Sequence, residues 1–156
     1  MSRLPVRRSS AWSVEEIERF LDLSVLPIRL GCLGADGTPL VVSLWYLFED
    51  GRFWCALHES AAVLRYLRRD GRCGFEVAGD GAPYRGVRGQ AVASVERTRG
   101  ADVLDALLAR YGVRDDSKLA RWLRSRRSEE YAVALDPVWL TAWDYRERMR
   151  DARTSS

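Results

Sequence analysis

The chain has 156 residues, 47% of them hydrophobic and 30% charged, and a formal net charge of +3. That balance describes one globular domain and excludes a disordered or low-complexity chain. It argues against a membrane protein, since no apolar run reaches the length of a span. It argues equally against a nucleic-acid module, since the basic excess is small and every one of the 25 basic residues except Lys118 is an arginine.

Met1 to Ser10 carries Arg3, Arg7 and Arg8 with no apolar block behind them. Residues 1–12 therefore read as a flexible basic tail and not as a signal peptide, which places the chain in the cytoplasm. Ser13-Val14-Glu15-Glu16 is a capping box, and Ile17, Phe20 and Leu21 follow at helical spacing, so residues 14–23 are predicted as an amphipathic helix. After Pro27, strands are predicted over 28–33, 40–48 and 53–57. Asp36-Gly37 and Asp50-Gly51 turn between them, because glycine accepts the positive φ of a tight hairpin; the run reads as a three-stranded meander.

Ser60 opens a helix running to about Arg69, with Val63, Leu64 and Leu67 as its apolar side. Strands at 73–77 and 84–96 flank a loop at 79–82. Helices follow at 101–111 and 117–126, the second capped by Asp115 or Asp116. Residues 131–135 and 139–145 read as closing strands and 146–156 as a polar tail, which leaves 13–145 as the domain. Six or seven antiparallel strands with inserted helices suit a small barrel, mainly β within an α+β chain.

Few residues offer chemistry on pattern alone. Cys32, Cys55 and Cys73 are odd in number, widely spaced and set in apolar stretches, so they read as buried thiols, with no metal site. Cys55 and His58 stand three apart on a strand and face opposite sides, which breaks up an apparent thiol–imidazole pair. Glu15-Glu16 is explained by capping and Glu129-Glu130 by a polar loop.

Several local phrases occur in a telling order. They are Leu33-Gly34-Ala35-Asp36-Gly37-Thr38-Pro39 with Val41-Val42-Ser43-Leu44-Trp45-Tyr46, then Glu49-Asp50-Gly51-Arg52-Phe53-Trp54, then Leu67-Arg68-Arg69-Asp70-Gly71-Arg72. Pro83-Tyr84-Arg85-Gly86-Val87-Arg88-Gly89 and Thr141-Ala142-Trp143-Asp144 complete the set. Together, over roughly residues 13–145, they resemble the pyridoxamine 5′-phosphate oxidase-like, FMN-binding split-barrel family. The resemblance implies a homodimeric split barrel with clefts at the subunit interface. It also implies FMN or the deazaflavin coenzyme as hydride carrier, and some members of the family hold haem instead.

The pattern breaks where the family holds the cofactor phosphate. Leu57 stands where a threonine is usual, and Ala61, Ala62 and Val63 replace a Ser-Arg-Lys-like cluster. Losing charge-assisted donors weakens a phosphate site heavily. Two readings stay open. In one, His58, Ser60 and Arg65 substitute at a helix start that favours anions. In the other the flavin is lost, and the protein is a small-molecule binder or a cofactor-free enzyme of metabolite biosynthesis.

The candidate cofactor-binding residues are Ser43, Trp45, His58, Ser60, Arg65, Tyr84, Arg88 and Trp143. Ser43 is a mid-strand donor, and Trp45 and Trp143 are flat rings for stacking. Tyr84 and Arg88 share a strand face, with Gly86 between them leaving a gap for a ligand edge. His58 is the one residue whose ordinary titration falls near neutrality, and haem ligation is a weaker role for it.

Overall fold

The computed structural model of the chain describes residues 4–153. The outermost parts of both expected tails, 1–3 with Arg3 and 154–156, lie outside the described residues. Helix α1 spans Val14–Leu23: Ser13 Oγ accepts the Glu16 amide, and the Glu16 carboxylate accepts the Ser13 amide at 2.8 Å. No glycine closes its far end. The Arg110 guanidinium donates instead to the carbonyls of Leu21, Asp22 and Ser24, a cation at the negative end of the helix dipole.

The remaining elements are β1 (Ile28–Leu33), β2 (Pro39–Leu44), β3 (Leu47–Glu49), β4 (Arg52–His58), α2 (Ala62–Arg69), β5 (Arg72–Ala78), β6 (Arg85–Glu96), α3 (Gly100–Arg110), α4 (Lys118–Ser125) and β7 (Glu130–Asp144). The seven strands form one antiparallel sheet in the order β2-β1-β5-β6-β7-β4-β3. Both expected Asp-Gly turns are present, with positive φ at Gly37, Asp50 and Gly51.

Consecutive strands β2 and β3 stand at opposite edges of this sheet, with only Trp45 and Tyr46 between them. So short a link spans at most about 11 Å, so the two edges must meet. The sheet curls into a barrel whose ladder stays open at that seam: a split barrel. This corrects the single strand expected over 40–48 and the meander built on it. Tyr46 is fully buried and Trp45 stacks on Tyr111, with centroids 5.1 Å apart and planes at 15°. The two rings leave in different directions, and the strand breaks where they do.

Inside the barrel Phe53 packs on Tyr46, Phe48 and Phe75, and α1 and α2 send Ile17, Leu21, Leu64 and Leu67 into the same core. A smaller core lies outside, where Val103 and Leu107 of α3 cover Trp54, Ala132 and Ala134. Strands β4 and β7 are thus packed on both faces, which explains their unbroken apolar stretches.

Four further expectations need correction. The closing strands are one, because Pro137 pairs with Ala91 and Trp139 with Gln90, and the leftover Val138 forms a bulge that tolerates the proline. The cap of α4 is Ser117, whose Oγ accepts the Ala120 amide, while Asp115 and Asp116 pair with Arg124 and Arg114. Helix α2 begins two residues after Ser60, with Ala61 at its cap position. The N-terminal segment is not loose from residue 4 onward. Leu4 is buried, the Arg7 and Ala11 amides donate to the Leu140 and Ala142 carbonyls, and the Trp12 indole donates to Asp144 at 2.9 Å. Among the described residues, no helix is long and apolar enough to cross a membrane.

Candidate functional site

The end of β4 and the start of α2 bring together the residues best suited to an anion. His58 Nδ1 lies 2.7 Å from Ser60 Oγ and accepts the Ser60 backbone amide at 3.2 Å. A nitrogen that accepts an amide carries no proton, so the imidazole proton sits on Nε2 and is donated to Glu129 Oε2 at 2.7 Å. The Ser60 hydroxyl accordingly donates to Nδ1. That engagement explains why Ser60 is not the cap of α2.

Helix α2 has no side-chain cap, so the Ala62 and Val63 amides at the positive end of its dipole have no side-chain partner. Arg65, exposed and with no ion pair among the described residues, rises from its first turns. Arg68 lies 4.5 Å and Arg97 5.6 Å from the centre of the Tyr131 ring, and Tyr131 is the cross-strand partner of Leu57. Glu130, paired across from His58, is buried, and desolvation pushes its carboxyl above the usual range. Cys55 stays out of this chemistry, since full burial pushes its thiol up to about 12.

A second group lies on the outer face of the sheet. Ser43, Arg29, Glu76, Arg88 and Thr141 are successive cross-strand partners, and Arg29 donates to Ser43 Oγ at 2.8 Å. The neighbouring row runs Val41, Gly31, Gly74, Gln90, Trp139, with two glycines side by side. Trp143 faces the same way and packs on Tyr145 at 5.3 Å. Tyr84, exposed, precedes β6 after the cis Ala82–Pro83 bond. The gap expected at Gly86 is closed by the neighbouring strand: a Cβ there would sit 2.6 Å from that of its cross-strand partner Ala78. Trp45 belongs to neither group, being committed to Tyr111 in the smaller core.

A single chain therefore does not assemble the eight candidates. His58 pairs with Glu130 at one end of β7 and Arg88 with Thr141 towards the other. Up to about 36 Å of strand path separates those positions. Sequence reasoning missed Glu129, Arg97 and Tyr131, which no spacing signals; a single 3-10 turn, Arg127–Glu129, delivers Glu129 to a histidine 71 positions away. A flavin-type phosphate would find the uncapped start of α2 and Arg65 on its first turns, while Arg68 stands in the last turn over Tyr131. Leu57 and Ala61 to Val63 add no donor side chain.

No protein-family model matches the chain, and no curated protein matches it in sequence. Solved structures match it over most of its length. The conserved hypothetical protein Rv2991 from Mycobacterium tuberculosis is 25% identical, with a TM-score of 0.75 over 91% of each chain. An F420 reductase is 15% identical, with a TM-score of 0.66 over 80% of this chain and 94% of its own. A putative pyridoxamine 5′-phosphate oxidase from Listeria innocua is 10% identical, with a TM-score of 0.62 over 82% and 95%. The chain has the α+β split-barrel fold of the flavin and deazaflavin oxidoreductases. Its seven antiparallel strands and four α-helices follow the split-barrel arrangement expected from its hairpin phrases.

Proposed function

We propose that the protein is a homodimeric oxidoreductase that binds FMN, or alternatively the deazaflavin coenzyme, and acts on a small organic molecule in a cleft at the subunit interface. The observation that carries this reading is the uncapped start of α2, with Ser60 and His58 before it and Arg65 on it. Free amides at a helix start bind phosphate without any lysine. The coenzyme ring would supply the hydride chemistry, and the protein's part is to bind and orient.

The separation of the candidates within one protomer supports a dimer. A partner subunit bringing its outer face, with Ser43, Arg88 and Trp143, against the α2 end of the first would complete a cleft. The paired Gly31 and Gly74 make a flat shelf on that face, and Val41 is 68% exposed beside it. Exposed β-branched residues around a glycine shelf suit close approach of a second sheet.

A second reading rests on Glu129. Its carboxylate, one imidazole away from Ser60, opposes a phosphate, and the half-buried Ala61 to Val63 present hydrocarbon while Leu57 is buried in the core. A cofactor-free small-molecule site would have this character.

Fluorescence titration with FMN separates the two. The flavin reading expects saturable quenching in the parent protein and at least about tenfold weaker binding in Ser60→Asp and Arg65→Glu, which place negative charge at the anion end. Equal affinity in all three proteins removes these residues from the site.

A further inference from the structure

At the other end of the barrel a groove of about 470 Å³ runs between α1 and the β5–β6 connection. It continues into a second hollow of about 460 Å³, and the two share Phe20, Ser24, Arg85 and Arg146 as walls. Volumes of this size suit a small organic ligand. Leu26 and Pro83 extend the apolar lining, and Phe20 is held by Trp12, ring centres 5.0 Å apart.

The charged groups around the groove are unevenly paired. Arg146 is paired with Asp144 at 2.6 Å, and Asp144 also accepts the Trp12 indole, so one carboxylate fixes a cation and an aromatic in place. Glu16 is engaged by the Ser13 amide within its capping box. Arg19 and Arg85 are exposed, and neither has an ion pair or side-chain hydrogen bond among the described residues. With Asp80 between the lining residues Gly79 and Gly81, the three arginines meet three carboxylates, and what distinguishes the groove is the unpaired Arg85 guanidinium beside the Phe20 ring. An unpaired guanidinium offers a planar fork that matches a carboxylate.

We propose that this groove binds a small aromatic monoanion, with Arg85 receiving the carboxylate and Phe20 carrying the ring. The site is separate from the coenzyme reading, which places phosphate at α2 on the opposite end of the barrel. The two stand or fall independently.

Isothermal titration with 2-naphthoate tests the proposal, with neutral 2-naphthalenemethanol as the comparison and Arg85→Gln, Arg85→Glu and Arg65→Glu as variants. Arg85 is exposed at a strand start and pairs through its backbone, so these changes leave the ladder intact. The naphthoate is expected to bind roughly tenfold or more tightly than the alcohol, to lose about tenfold in Arg85→Gln, and to be unaffected by Arg65→Glu. FMN affinity should be unchanged in Arg85→Gln. Equal affinity for acid and alcohol overturns the proposal, and so does undiminished naphthoate binding in both Arg85 variants. Weakening in Arg65→Glu alone would assign the anion to the α2 end and equally overturn it.

Discussion

The Tyr46 hydroxyl donates to the Leu21 carbonyl at 2.7 Å, tying the seam of the barrel to the end of α1. The same carbonyl accepts Arg110, while the Tyr111 hydroxyl accepts the Tyr46 amide and donates to Leu26. Burial pushes the Tyr46 phenol upward, so it stays a protonated donor across the ordinary pH range. Two side chains from distant segments, Tyr46 and Arg110, thus satisfy a helix end that lacks a glycine.

Tyr46→Phe removes one of two donors to Leu21 and should cost about 1 kcal/mol. Arg110→Met removes three bonds and should cost more, about 2–3 kcal/mol. Urea unfolding midpoints read both, and an unchanged midpoint in Arg110→Met would show that the helix end does not depend on this cation.

Gly100 opens α3 against the backbone of β7. A Cβ there would lie 1.9 Å from the Glu130 carbonyl oxygen, which cannot move aside as a flexible side chain would. Alanine improves helix propensity by about 1 kcal/mol, but the overlap should outweigh this and leave Gly100→Ala at least about 2 kcal/mol less stable. In Gly31→Ala the nearest atom of the same chain is 3.7 Å away, an ordinary contact, so any fall in its thermal midpoint reports the proposed dimer face and not the fold of the chain.

Asp144 should shape the acid limb of stability. Hydrogen bonds from Arg146, foremost, hold its carboxyl well below the usual carboxylate range. A depressed folded value means the native state favours the ionised form. Its contribution is complete above the unfolded value near 3.9 and is lost as pH falls through the folded value. Asp144→Asn should therefore be less stable at neutral pH by about 1 kcal/mol, with the gap closing below about pH 4. Thermal melts across pH 2–7 would show a constant gap if Asp144 contributed no linkage.

If the shelf beside Gly31 and Gly74 is the dimer face, Val41→Glu should bury a charge against the partner and disrupt it. Light scattering behind a sizing column should give two chains for the parent and one for the variant. A monomeric parent would refute the interface.

The sequence made the local devices legible and left the long-range ones hidden. The capping box at Ser13 and the positive-φ turns at Gly37 and Gly51 are written within four residues, and each stands where its pattern placed it. The break at Trp45–Tyr46 was not readable, because a β-branched and aromatic run scores as one strand whichever core each ring enters. The docking of residues 4–12 was hidden for a similar reason: an arginine-rich segment reads as solvated until the strand it pairs with is known. At the candidate site the departures at Leu57 and Ala61 to Val63 were visible against the resemblance. The approach of Glu129 to His58 needed the fold, since the two are 71 positions apart in sequence and meet only because β4 and β7 are neighbours.

The visible absorption spectrum of the freshly purified protein, after loading with FMN or the deazaflavin and passage through a desalting column, tests the coenzyme claim most directly. The proposed function expects a flavin-type band that stays with the parent protein and is lost from Ser60→Asp. A colourless protein that retains neither coenzyme would contradict it, and would assign the hydrocarbon at Leu57 and Val63 to a site for something other than a flavin.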